Sequence, residues 1–112
     1  MRIKEKISGN VAIVTLKGKL MGEPETDELR DKINSLVNEG MLNVVLDMKG
    51  VNWISSLGLG TLIAVLTSIR TKNGDIRIAN ITDNVESLLA ITKVAKVFKT
   101  FESVDRAVAS FK

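Results

Sequence analysis

The chain has 112 residues, of which 45% are hydrophobic and 26% charged, as expected of one small globular domain. It contains neither cysteine nor histidine. This excludes disulfides, thiolate or imidazole metal ligands and the most common general base, so we expect no metal site and no cofactor. The net charge is only +3 and the lysines are scattered singly, so we expect no nucleic-acid surface. No apolar run is long enough to span a membrane and the N-terminus lacks a signal-peptide core, so we expect a cytoplasmic protein.

The first half of the sequence predicts two strands, a helix and a third strand. Alternation between Ile3 and Ile7, followed by a β-branched run at 11–16, predicts a hairpin that turns at 8–10. Pro24 favours the start of a helix, and Gly40 favours its end. The apolar run at 42–46 predicts a strand buried on both faces, with residues 47–50 leaving it.

A second helix and a fourth strand are predicted next. The helix begins near Ser56 or Leu57, and its apolar residues repeat at intervals of three and four until Asn73-Gly74. The β-branched segment 76–79 then predicts a strand.

The C-terminal part predicts a short helix, a last strand and a last helix. Thr82 and Ser103 are candidate caps for the two helices, and the segment 97–101 is the predicted strand. Because strands alternate with helices, we expect an α/β fold with right-handed crossovers between parallel strands. We predict a single domain over residues 1–112, with a mixed sheet of four to five strands packed against about four helices.

The segment from Val44 to Gly60, VVLDMKGVNWISSLGLG, resembles the signature of STAS domains of the anti-sigma factor antagonist type. In that family a hydrophobic strand ends in Asp, and a short loop leads to Asp-Ser-Ser/Thr-Gly-Leu-Gly at the start of a helix. The segments 16–20 and 97–108 resemble the second strand and the closing strand and helix of the family. The resemblance therefore covers essentially the whole chain.

The resemblance implies a binding module that is not an enzyme. In this family the unphosphorylated antagonist binds an anti-sigma factor that is also a serine protein kinase, and the sigma factor is released. Phosphorylation of the antagonist breaks that complex, and a serine phosphatase restores it. A phosphoryl group suits the start of a helix, where backbone amides are unpaired and the helix dipole is positive.

One position departs from the family pattern. Aligned on Gly58-Leu59-Gly60, the acceptor Ser/Thr of the family falls on Leu57, and the family's Asp falls on Ser55. Leucine has no hydroxyl to phosphorylate, so Ser56 and Ser55 are the remaining phosphorylation candidates. Two alternatives stay open: a switch that uses one of these serines, and an antagonist that binds constitutively.

The resemblance places the partner surface around the start of the second helix. Ordinary structural roles are the alternative for several candidates, such as helix capping by the serines and turn formation by the aspartate. Trp53 is predicted to pack beneath the loop, and the glycines are expected to let a partner approach closely. The candidate partner-binding residues are Ser55, Ser56, Leu57, Gly58, Leu59, Asp47, Glu23 and Thr26.

Two other functions are alternatives to this one. A STAS subunit of a lipid-transport or stress-signalling complex would bind its partner permanently and without phosphorylation, and the leucine at the acceptor position favours it. Nucleotide binding is the weakest hypothesis, because the sequence has no Gly-x-x-x-x-Gly-Lys-Ser/Thr loop.

Overall fold

The computed structural model describes residues 1–93 and 96–111. Over these residues the chain forms five strands and four helices, in the order predicted from the sequence. The elements are β1 (Arg2–Ser8), β2 (Val11–Lys17), α1 (Glu25–Asn38), β3 (Asn43–Gly50), α2 (Ser56–Arg70), β4 (Asp75–Ala79), α3 (Asp83–Ile91), β5 (Lys99–Phe101) and α4 (Val104–Ala109). None of the described helices combines the length and the hydrophobicity that crossing a bilayer requires.

The strands form one mixed sheet in the order β1-β2-β3-β4-β5. β1 and β2 are antiparallel, and each later neighbouring pair is parallel. Each of the three parallel crossovers, which contain α1, α2 and α3, leads to the next strand in the same direction across the sheet. Because such crossovers are right-handed, the three helices lie on one face of the sheet. The predicted mixed sheet with four helices is therefore confirmed, and the structure supplies the strand order that the sequence left open.

The sheet separates a large hydrophobic core from a smaller one. Val44, Leu46 and Met48 of β3 lie in the large core together with the apolar faces of α1, α2 and α3. Val45 projects to the other face, where it packs with Ala107 of α4. This alternation follows from the period of two along a strand. Residues 44–46 of β3 are thus buried on both faces at the centre of the sheet.

Two strands end or begin more than one residue away from the predicted position. β3 extends to Gly50 rather than ending at residue 46, because Asp47 still pairs with Thr15 and Ala79, and Gly50 pairs with Lys17. The last strand contains only residues 99–101, which are the residues paired with β4.

The two C-terminal cap predictions have different outcomes. Ser103 does cap α4, since its hydroxyl accepts a hydrogen bond from the backbone N–H of Arg106 at 3.1 Å. Thr82 stands at the cap position of α3 without a capping bond. Its hydroxyl instead donates to the carbonyl oxygen of Val51 at 3.0 Å, which attaches the start of α3 to the end of β3.

Candidate partner-binding site at the start of the second helix

The connection from β3 to α2 is held by backbone hydrogen bonds to the segment that follows β2. Leu20 and Ile54 form a parallel bridge. The N–H of Leu20 donates to the carbonyl oxygen of Trp53 at 3.2 Å, and the N–H of Ser55 donates to the carbonyl oxygen of Leu20 at 3.0 Å. The side chains of Leu20 and Ile54 are fully buried. These contacts fix the direction in which the chain enters α2.

Ser55 is the N-cap of α2, and its hydroxyl both donates and accepts a hydrogen bond within the fold. The hydroxyl accepts a hydrogen bond from the backbone N–H of Gly58 at 3.1 Å and donates one to the carbonyl oxygen of Met21. The predicted capping role is confirmed for Ser55. Ser56, the other phosphorylation candidate, is the first residue of α2 and its side chain is exposed.

Gly58 allows the first turn of α2 to lie directly against the backbone of Leu20. A Cβ atom at Gly58 would lie 2.1 Å from the carbonyl oxygen of Leu20 and 3.0 Å from its carbonyl carbon. The expectation that this glycine leaves room for a partner is therefore wrong, since the chain itself fills the space. A Cβ atom at Gly60 would meet nothing within 4 Å.

Three exposed apolar side chains surround the start of α2. Leu57 is 60% exposed, Trp53 48% and Met21 43%. The side chain of Leu57 lies beside the segment that follows β2, because a Cβ atom added at Gly22 would lie 3.4 Å from its Cδ2 atom. We call Met21, Trp53 and Leu57 the α2 surface. The exposure of Leu57 agrees with its predicted place in the partner surface, whereas the prediction that Trp53 packs beneath the loop is wrong.

Three of the other candidates are enclosed by the protein. Thr26 is 3% exposed and Leu59 is 6% exposed, and Gly58 is also buried. Leu59 belongs to the large core. Because the protein itself covers these residues, the prediction that a partner contacts them directly needs correction. Glu23 is exposed and follows the α2 surface residue Met21 by two positions.

Asp47 lies on the opposite face of the sheet from α2. It alternates along β3 with Leu46 and Met48 of the large core, so it shares its face with Val45 and α4. Its Oδ1 atom accepts hydrogen bonds from the backbone N–H of Lys49 at 3.2 Å and from the side-chain amide of Asn80 at 3.1 Å. The local hydrogen bonding weighed as an alternative is therefore present, and Asp47 is not part of the α2 surface.

Comparisons with known proteins agree with this architecture. Residues 2–107 match the family described as the STAS domain. The Bordetella bronchiseptica protein BtrV, described as a candidate anti-sigma factor antagonist, is 27% identical over 108 residues, covering 96% of this chain and 91% of BtrV.

Two solved structures show a similar fold. The candidate anti-sigma factor antagonist TM1081 of Thermotoga maritima has a TM-score of 0.86 at 21% identity, covering 96% of this chain and 92% of that one. The Bacillus cell fate determinant SpoIIAA, in its phosphorylated form, has a TM-score of 0.75 at 12% identity, covering 99% of this chain and 100% of that one. The match over residues 2–107, together with this fold, establishes that the chain belongs to the STAS domain family.

Proposed function

We propose that this protein is an anti-sigma factor antagonist, a binding module rather than an enzyme, that binds a serine kinase-type anti-sigma factor through the α2 surface. The observation that carries the proposal is the 60% exposure of Leu57 on the first turn of α2, close to the segment that follows β2. Similarity to BtrV along 96% of the chain supports the same class of partner. The proposal places the protein in the cytoplasm, where sigma factors act.

The chemistry of the α2 surface suits a protein interface. Aromatic residues and methionine are enriched in the buried centres of interfaces, and exposed apolar side chains that lie together mark such sites. Hydrogen bonds and close packing among Ser55, Gly58 and Leu20 restrain the backbone beneath this surface. Binding therefore orders few additional groups, which favours affinity.

The same surface indicates an antagonist that is not switched off by phosphorylation. Leu57 occupies the acceptor position without a hydroxyl, and the hydroxyl of Ser55 is committed to Met21 and Gly58. Ser56 is exposed but precedes the acceptor position, so its side chain points about 100° away around the helix. A kinase needs the attacking oxygen in line with the γ-phosphate, and this rotation removes that alignment.

Replacing Leu57 with serine is expected to create a phosphorylation site. The first turn of α2 contains no acidic residue that would repel a phosphoryl group. The wild-type protein should remain unmodified, and bound to its kinase-type anti-sigma factor, after prolonged incubation with MgATP. The Leu57→Ser variant should gain one phosphoryl group and then dissociate. Intact-mass spectrometry and size-exclusion chromatography of the same samples measure the two effects.

The double variant Leu57→Ser with Ser56→Ala is the control, and it should be phosphorylated as fully as the single variant. Stoichiometric modification of wild-type Ser56 or Ser55 would restore the phosphorylation switch and contradict constitutive binding. A wild-type protein that fails to bind any kinase-type anti-sigma factor of its own organism would contradict the proposed function itself.

The absent acceptor hydroxyl also favours a second candidate, a permanently bound STAS subunit of a larger complex. Affinity purification from the source cell separates the two candidates. A kinase-type anti-sigma factor recovered with the wild-type protein supports the first, and a stoichiometric transporter or stress-signalling assembly supports the second.

A further inference from the structure

The β1–β2 hairpin has a row of cationic side chains on the face that carries α4. Residues directly opposite each other in an antiparallel pair project from the same face, and here Lys4 is paired with Thr15 and Lys6 with Ile13. Ile13 packs with the smaller hydrophobic cluster, which identifies the face. α4 packs mainly over β3, β4 and β5, so it leaves much of the hairpin uncovered. We call the cationic residues of this face the basic edge: Arg2, Lys4, Lys6 and Lys17.

The basic edge has no carboxylate partner among residues 1–93 and 96–111. Asp47 and Asp105 line the groove next to Lys6, but the groove lined by Arg2, Lys4, Thr15 and Lys17 contains no acidic residue. Positive charge is therefore concentrated toward the Arg2 end of β1. The ion pairs within the described ranges are formed by Arg30, Lys32, Arg70, Arg77 and Arg106.

β1 is also an edge strand with an open side. It pairs along Arg2–Ser8 with β2 and lies at the end of the strand order. The outward backbone N–H and C=O groups of such a strand can pair with an added strand. Alternate side chains along a strand are about 6.8 Å apart. Arg2, Lys4 and Lys6 thus present positive charges at the spacing of alternate residues in a neighbouring strand.

We propose that β1 binds an extended acidic segment of a partner protein by strand addition, with alternate Asp or Glu side chains beside Arg2, Lys4 and Lys6. A peptide is favoured over a nucleic acid or an anionic lipid, because only a polypeptide also pairs with the backbone groups of the edge. The site is separate from the α2 surface and does not depend on the function proposed for that surface.

The same charges oppose pairing of β1 with a second copy of itself. In an antiparallel pair centred on Lys4, each Lys4 faces the other and each Arg2 faces Lys6. Centring the pair on Glu5 places Lys4 opposite Lys6. Like charges directly opposite each other destabilise a strand pair. Charged side chains on an edge strand also oppose aggregation, so the edge favours an acidic strand of another protein over a second copy of this chain.

The proposal is tested by NMR titration of the full chain with an acetylated and amidated heptapeptide that alternates glutamate and threonine. We expect saturable shifts confined to the amides of β1 and its neighbour β2, together with slower exchange of the outward β1 amides. The charge-reversed variant Arg2→Glu/Lys4→Glu/Lys6→Glu should bind this peptide at least tenfold more weakly and should bind the corresponding lysine–threonine peptide instead.

The control variant Lys49→Glu/Lys72→Glu/Lys99→Glu changes net charge equally at exposed positions elsewhere. It should bind the glutamate peptide as the wild type does. Equal loss of binding in the two triple variants, or failure of the charge-reversed variant to bind the lysine peptide, overturns the proposal. The proposal is also overturned if the wild-type protein binds duplex DNA or phosphatidylglycerol vesicles but does not bind the glutamate peptide.

Discussion

Replacing Leu57 with aspartate is expected to weaken binding of the anti-sigma factor by about a hundredfold or more, which corresponds to about 3 kcal/mol. Leu57 is 60% exposed on the first turn of α2, where it is available as an interface anchor. The substitution removes its apolar contact area and also places a carboxylate where the partner must exclude water. Burying an unpaired charge costs more than the lost packing alone, so the two effects act in the same direction. Isothermal titration calorimetry measures the change in affinity.

Ile91→Asp is the matched control for this variant. Ile91 is also an exposed apolar residue, 77% exposed, but it ends α3 rather than beginning α2. Both variants should unfold at nearly the wild-type temperature, because neither position contributes a buried side chain. An unchanged affinity in Leu57→Asp, or an equal loss in Ile91→Asp, would show that the partner docks elsewhere.

Replacing Gly58 with alanine is expected to lower the free energy of unfolding by about 3 kcal/mol or more. The added methyl group would lie 2.1 Å from the carbonyl oxygen of Leu20, and that oxygen also accepts the hydrogen bond from Ser55. To remove this steric clash, the start of α2 must move away from the segment that follows β2. Urea denaturation followed by circular dichroism measures the stability change.

Gly60 provides the comparison within the same helix. A methyl group there meets nothing within 4 Å. Gly60→Ala should therefore raise the free energy of unfolding by about 0.5–1 kcal/mol, because alanine loses less backbone entropy in a helix than glycine does. Destabilisation by both substitutions to a similar extent would mean that α2 does not pack on Leu20 as described.

The element order and the hydrophobic faces could be predicted because they depend on local periodicity. Strand ends could not, since they depend on partners distant in the sequence. β3 runs to Gly50 because β2 pairs with it there, and the last strand is short because β4 offers only residues 77–79 to it. No pattern within either segment carries that information.

In the candidate site too, local features could be predicted and features that depend on distant residues could not. The cap role of Ser55 follows from the local sequence at a helix start, whereas the exposure of Leu57 agrees with the partner surface that the family resemblance implies there. Burial of Thr26 and exposure of Trp53 depend on tertiary packing, which the local sequence does not specify. Met21 was missed entirely, because nothing local distinguishes it from a core methionine.

The basic edge could not be recognised as a cationic patch from the sequence alone. Lys4 and Lys6 alternate with Glu5 and Ile7, so the segment reads as a mixed run rather than as a cationic patch. Lys17 joins them only through the antiparallel pairing of β1 with β2. Period-two alternation does place Lys4 and Lys6 on one side of a strand, and that was the available signal.

Hydrogen–deuterium exchange of the complex with the kinase-type anti-sigma factor tests the central claim most directly. Binding through the α2 surface predicts slower amide exchange in residues 20–23 and 53–60, with little change in α3 and α4. Protection confined to α3, α4 or β5, with the start of α2 exchanging as in the free protein, would contradict the account.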